Sequence, residues 1–128
     1  MLYTGIDLVR IDRIAKSLQN PRFWTRVFSP PERDFLEQKK DPAPSAAANF
    51  AAKEAFAKAL GTGVRGFSLA EVSVLRDKAG APVLSLSGKA AELAEKRGLI
   101  FSLSLTHTDE YAAAVVTAWD KEVSHHDD

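Results

Sequence analysis

An α+β fold with a largely antiparallel sheet and one long central helix is predicted by three features of this chain. Strand-like stretches lie at the N-terminus and, repeatedly, after Val72. Helix starts and stops crowd the first half. Between them runs an alanine-rich segment, Ser45 to Leu60, too long for a strand and ended by Gly61. The 128 residues favour one domain, residues 1–120, followed by a polar tail, 121–128.

Leu2 to Val9 reads as the first strand, with Gly5 allowing close approach of another backbone. Asp12 caps a short helix through Leu18, and Asn20-Pro21 stops it. Ser29-Pro30-Pro31-Glu32 starts the next helix, with proline in the first turn and Glu32 closing a capping box; it runs to about Lys39. Asp41-Pro42-Ala43-Pro44 is a stiff connector. The long helix follows. Ala48, Ala52, Ala55, Phe56 and Ala59 share one face, while Phe50, Glu54, Ala57 and Lys58 lie on the other side. Such a weakly amphipathic helix is covered on more than one side, by its own sheet and by a loop or neighbouring subunit.

Val72 to Arg76 and Pro82 to Leu86 flank a turn containing Gly80, a hairpin pattern. Ser87 caps a helix from Gly88 to Arg97, closed by Gly98, with Glu92 and Lys96 as an outer pair. Phe101, Leu103 and Leu105 alternate with Ser102, Ser104 and Thr106. Thr108-Asp109-Glu110 turns the chain into a last strand, Tyr111 to Trp119. His125-His126 in the tail is too short a run to imply a metal site.

Composition narrows function by exclusion. With 45% hydrophobic and 27% charged residues the chain is not of the disordered class. No apolar run approaches a membrane span and no secretory pattern opens the chain, so a cytoplasmic location is the default expectation. The absence of cysteine excludes disulfides and thiolate metal sites. Net charge is zero, which disfavours non-specific nucleic-acid binding. Its distribution is uneven: residues 1–65 hold 11 Lys and Arg against 7 Asp and Glu, residues 66–128 hold 6 against 10. Arg10, Arg13, Lys16, Arg22, Arg26, Arg33, Lys39 and Lys40 make most of the excess. They read either as a solvated surface or as a docking face for an acidic partner.

Four groups of residues carry possible chemistry, and each has an ordinary reading. Asp7 stands in an apolar strand, where an acid is costly unless paired; it reads equally as a strand-end aspartate facing solvent. Glu54 and Lys58, four apart, form at least a surface ion pair. Gly61-Thr62-Gly63 is either a helix stop or a phosphate-receiving loop. Thr106-His107-Thr108 ends a strand, with His107 in phase with the apolar residues. One divalent cation shared by Asp7 and Glu54 would satisfy both acids, and a hard cation such as Mg²⁺ takes one or two carboxylates plus substrate phosphates.

Taken together, Gly5-Ile6-Asp7-Leu8-Val9 with Arg13-Ile14, Phe50 to Ala59 with Gly61-Thr62-Gly63, and Ser104 to Thr108 with Glu110-Tyr111-Ala112 resemble the holo-[acyl-carrier-protein] synthase family, the short bacterial type of 4′-phosphopantetheinyl transferase. The blocks occur in the family's order from Leu2 to about Trp119. The resemblance implies a 4′-phosphopantetheinyl transferase-like fold. It implies transfer of phosphopantetheine from coenzyme A to a serine of apo acyl carrier protein, releasing adenosine 3′,5′-bisphosphate, with Mg²⁺, in support of fatty acid biosynthesis. Asp7 and Glu54 match the family's metal ligands. Glu54 and Lys58 match its catalytic pair, Lys58 lying near the coenzyme A phosphates. Gly61, Thr62, Gly63, Pro82, Thr106, His107 and Thr108 match residues lining the nucleotide site. Arg13 matches a basic contact for the acidic carrier, joined by Arg22 and Arg26. A homotrimer with active sites between subunits is implied, and a helix apolar on several sides fits it. Two positions depart from the pattern. Asn49 stands where arginine often precedes Phe-Ala-Ala-Lys-Glu, and Ala81 replaces the lysine of a Gly-Lys-Pro turn. The metal assignment survives both, whereas two positive charges for coenzyme A phosphates are missing.

Overall fold

A computed structural model describes residues 1–63 and 66–121. In chain order these form β1 (Leu2–Arg10), α1 (Ile11–Ser17), α2 (Pro21–Val27), α3 (Pro30–Glu37), α4 (Ala43–Leu60), a 3-10 turn (Leu69–Glu71), β2 (Val72–Arg76), β3 (Pro82–Leu86), α5 (Gly88–Lys96), β4 (Leu99–His107) and β5 (Tyr111–Asp120). All pairing is antiparallel, as expected, but the strands divide into two sheets. One is β1-β5-β4 and the other is the β2-β3 hairpin.

The long helix is the hub. α4 lies across β1 and β5, with α1 and β2 on its remaining sides. Alanines 46, 47, 51, 52 and 55 are wholly enclosed. Alanine loses no side-chain entropy in a helix and keeps neighbouring backbones close. Gly5 sets the distance: a β-carbon there would sit 1.9 Å from the Ala55 carbonyl oxygen and 2.7 Å from the Ala59 nitrogen. The close approach expected of this glycine is therefore that of α4 onto β1. The core closes around Phe56, which meets Phe67 edge-on and Phe101 at a tilt, with ring centroids 5.5 and 5.0 Å away. Because α4 is enclosed within one chain, its many apolar sides need no neighbouring subunit.

Several local expectations are corrected. Asn20-Pro21 ends one helix and begins another: the Asn20 side chain accepts from the Arg22 amide at 3.0 Å and Pro21 takes the first position of α2. Asp12 does not cap α1; it lies inside the first turn and pairs with Arg10, Nη2 to Oδ2 2.7 Å. α3 ends at Glu37, and α4 starts at Ala43, absorbing Pro44 into its first turn. The 3-10 turn at Leu69–Glu71 has its own capping box from Ser68 and Glu71. Ser87 supplies no side-chain cap to α5. Glu71 does so, accepting from the Lys89 amide at 3.2 Å. Gly88 permits this, since a β-carbon there would lie 2.0 Å from the Glu71 carboxylate. Glu92 and Lys96 make no ion pair among the described residues. The tail reading beyond Lys121, His125-His126 included, lies outside the described residues.

Candidate active site

β1 alternates. Gly5 and Asp7 face α4, while Ile6 and Leu8 face away. That phase turns Asp7 inward, leaving its side chain 16% exposed. One turn of α4 puts Glu54 and Lys58 on a common face opposite it. The Lys58 ammonium donates to Asp7 Oδ1 and to the Ile6 carbonyl, both at 2.9 Å. The i, i+4 pair with Glu54 that spacing alone offers is thus replaced by a pair with a residue 51 positions away.

Glu54 completes the group. Its carboxyl pKa is raised above the ordinary value, first by loss of solvent and then by the Asp7 charge, with Lys58 acting in the opposite direction. Among the described residues no donor reaches its carboxylate. Two acids and one cation therefore share a half-buried site, and its negative charge is only partly met. Two carboxylates supply hard oxygen donors, the kind that Mg²⁺ takes together with phosphate oxygens and water. No cluster of three or more metal-ligating side chains occurs among the described residues, so a cation here would lean on exogenous ligands.

The loop and strand-end residues fall around this centre to different degrees. Gly61 adopts φ +76°, the left-handed geometry that ends α4, and its amide donates to the Lys58 carbonyl. Thr62 and Gly63 follow, exposed. Asp7, Ala114 and Leu105 form one row across β1-β5-β4, and Val9, Ala112 and His107 form the next. His107 thus shares the helix-facing side with Asp7, but it is exposed rather than half-buried. Thr106, in the row of Leu8 and Ala113, faces the opposite side. The Thr108 hydroxyl accepts from the Glu110 and Tyr111 amides at 3.2 and 3.0 Å, which shapes the turn. Pro82 belongs to the other sheet, paired with Arg76.

Arg13 on α1 and Arg22 and Arg26 on α2 are exposed. Arg22 and Arg26, one turn apart, share a face. Beside them is an open groove of about 340 Å³ lined by Leu18, Pro21, Trp24 and Arg33. Arg10 is paired with Asp12, whereas Arg33 keeps its charge while donating to the Phe28 carbonyl at 2.6 Å. A larger groove, about 400 Å³, lies between β3, α5 and the start of β4, at the far end of β4 from His107.

Sequence reasoning missed a second charged group. Glu32 and Lys53 are fully enclosed, Oε1 to Nζ 2.6 Å. Lys53 also donates to the Leu69 and Val72 carbonyls, 3.1 and 2.5 Å away. Glu32 accepts in addition from the Ser29 and Val74 amides and from Asn49 Nδ2. Asn49 is completely buried, with its Oδ1 unpartnered. Position 49 therefore bears on the core in this chain. Ala81, in contrast, is exposed in the hairpin turn. The one legible signal was a lysine amid alanines on a helix face that has to be buried.

A family model for the 4′-phosphopantetheinyl transferase superfamily matches residues 3–116. The chain belongs to this superfamily. Among curated phosphopantetheinyl transferase relatives, the holo-[acyl-carrier-protein] synthase of Treponema denticola is 47% identical over 118 residues, covering 91% of this chain and 96% of the relative. That of Caldanaerobacter subterraneus subsp. tengcongensis is 40% identical, covering 91% and 94%. The solved holo-(acyl-carrier-protein) synthase of Bacillus anthracis, in complex with CoA (3′,5′-ADP), superposes with a TM-score of 0.80 at 32% identity, covering 93% of this chain and 96% of that one. No helix among the described residues is long and apolar enough to cross a membrane.

Proposed function

We propose that this phosphopantetheinyl transferase is a holo-[acyl-carrier-protein] synthase. It moves 4′-phosphopantetheine from coenzyme A to a serine of apo acyl carrier protein, in the service of fatty acid biosynthesis in the cytoplasm. The observation that carries the reading is the meeting of Asp7 with Glu54 and Lys58 across β1 and α4. Asp7 and Glu54 would hold Mg²⁺, which when bound supplies Lewis-acid neutralisation of the coenzyme A pyrophosphate.

This chain's residues do the rest. Glu54 accepts the proton of the incoming serine hydroxyl, directly or by way of a water. The serine oxygen bonds to the phosphorus of the phosphopantetheine group. The bond from that phosphorus to the adenosine-side phosphate breaks, and adenosine 3′,5′-bisphosphate leaves. Lys58, whose side chain is 56% exposed, turns its ammonium to the leaving phosphate. Gly61, Thr62, Gly63 and His107 frame the nucleotide on the Asp7 side and Thr108 holds its turn, while Thr106 and Pro82 would reach a nucleotide bound between subunits. Arg13, Arg22 and Arg26 meet the acidic carrier, and the groove beside Trp24 takes an apolar side chain of it. The nucleophile belongs to the carrier, so the enzyme needs none.

The reading includes a homotrimer. Leu2, Ile6 and Leu8 leave 65, 61 and 63% of their surface exposed on the outer face of the three-stranded sheet, next to Val115 and Trp119. Apolar faces of this kind mark association surfaces, and Thr106 shares this face with them. Light scattering should return about three times the 13.9 kDa chain mass. The decisive assay is mass spectrometry of apo acyl carrier protein after incubation with coenzyme A, Mg²⁺ and this protein. A phosphopantetheine adduct is expected. Its absence from every carrier offered, fatty-acid carriers included, defeats the proposal.

A further inference from the structure

We propose that Lys53 and Glu32 are positioning residues: their buried pair sets the rotation of α4 about its axis and thereby the gap between Asp7 and Glu54. The inference rests on the metal site proposed above. α4 has apolar side chains almost all the way round, most of them alanine, so hydrophobic burial distinguishes poorly between one rotation and another. Its packing against β1 is backbone on backbone at Gly5, which governs separation rather than rotation. Phe56 adds ring contacts, which tolerate small shifts.

Lys53 differs in being directional. Its ammonium is held by Glu32 of α3 and by the Leu69 and Val72 carbonyls, three acceptors outside α4. Glu32 is itself fixed from α3, α4 and β2 by Ser29, Asn49 and Val74. Neither group can leave without stranding the other in the core. Lys53 immediately precedes Glu54, so turning the first by some angle turns the second by the same angle. At a side-chain radius of about 5–6 Å, a rotation of roughly 20° moves a tip by about 2 Å. That is as large as a Mg²⁺–oxygen bond, and Mg²⁺ demands near-ideal geometry. The pair thus acts on Glu54 and Lys58 from a different face of the helix, roughly 100–140° round its axis, touching neither substrate nor metal.

The test compares wild type, E32Q/K53M and E32D. The double variant removes both charges at nearly constant volume, and glutamine retains the capping acceptor at position 32. E32D keeps both charges but shortens the reach. Circular dichroism and thermal unfolding establish folding. Mn²⁺ affinity in the presence of coenzyme A is read by electron paramagnetic resonance, and the Mg²⁺ dependence of transfer is measured separately. In the folded double variant the Mn²⁺ Kd is expected to rise about tenfold or more. The Mg²⁺ half-saturation should rise in parallel, with kcat largely recovered at saturating Mg²⁺. E32D should show the same change to a smaller degree. A folded variant with wild-type Mn²⁺ affinity overturns the inference alone, and E32D decides it if the double variant does not fold. A fall in kcat with unchanged Mg²⁺ half-saturation also overturns it, since that reports only a smaller active fraction. Wild-type protein that takes up no Mn²⁺ removes this inference and the metal site together.

Discussion

α4 carries two lysine–carboxylate pairs, and they differ in almost every respect. Lys53 and Glu32 are both 0% exposed, and the pair is tied into a network of backbone groups. Lys58 and Asp7 are 56% and 16% exposed, with a second acid, Glu54, beside them and short of partners. Desolvation acts on both. It lowers the Lys53 pKa, with Glu32 opposing, and it raises that of Glu54. In the core the charges have been satisfied from within, which leaves nothing to bind. At the sheet edge they have been left under-satisfied, and an outside cation can lower the free energy of the group. The same two residue types on one helix thus serve structure or chemistry according to how completely their neighbours complete them.

Substitutions should separate the two pairs cleanly. Asp7→Ala is expected to reduce transfer by roughly 10²–10³-fold. It should move the urea midpoint little, because a pair whose lysine is open to solvent contributes about 1 kcal/mol and the negative charge of Glu54 remains to meet Lys58. Lys53→Met should do the reverse. It strands the Glu32 charge in the core at a cost of about 3–5 kcal/mol, read by urea unfolding, and adding Glu32→Gln should restore most of it. Equal stability losses from the two single variants would erase the contrast.

Gly5→Ala tests how tightly the active pair depends on backbone approach. Overpacking here should cost about 1–3 kcal/mol. It should also weaken Mn²⁺ binding, because it pushes α4 away from the strand bearing Asp7. The smallest effect concerns pH. The raised Glu54 pKa means that the folded state holds its proton more tightly than the unfolded chain does. That stabilising contribution is complete below the unfolded pKa and is lost as pH rises through the folded one. Glu54→Gln stays neutral throughout. Without divalent cation its Tm should exceed wild type by a few degrees at pH 7, and the gap should close below about pH 4. A variant less stable than wild type at pH 7 would show that the Glu54 charge is already compensated.

Asp7, Glu54, Lys58 and the loop at Gly61 were legible as candidates only through the resemblance of their blocks to a family, because each alone has an ordinary reading: a strand-end acid, a surface ion pair, a helix stop. Helix α2 was not, because Asn20-Pro21 is both a stop and a start, and only the chain beyond it decides which. Nor was the role of Glu32. Its capping box with Ser29 accounted for it locally and gave no reason to look for a partner 21 positions away.

By itself the sequence determined the antiparallel α+β class and most element positions. These follow from periodicity, capping and turn chemistry, which act over a few residues. Only the tertiary structure decided that Lys58 pairs with Asp7 rather than Glu54, that Asn49 lies in the core and donates to the Glu32 carboxylate, and that the strands form two sheets. Those outcomes depend on which surfaces α4 covers once it lies against Gly5. That is a competition among long-range contacts, and no local pattern encodes it.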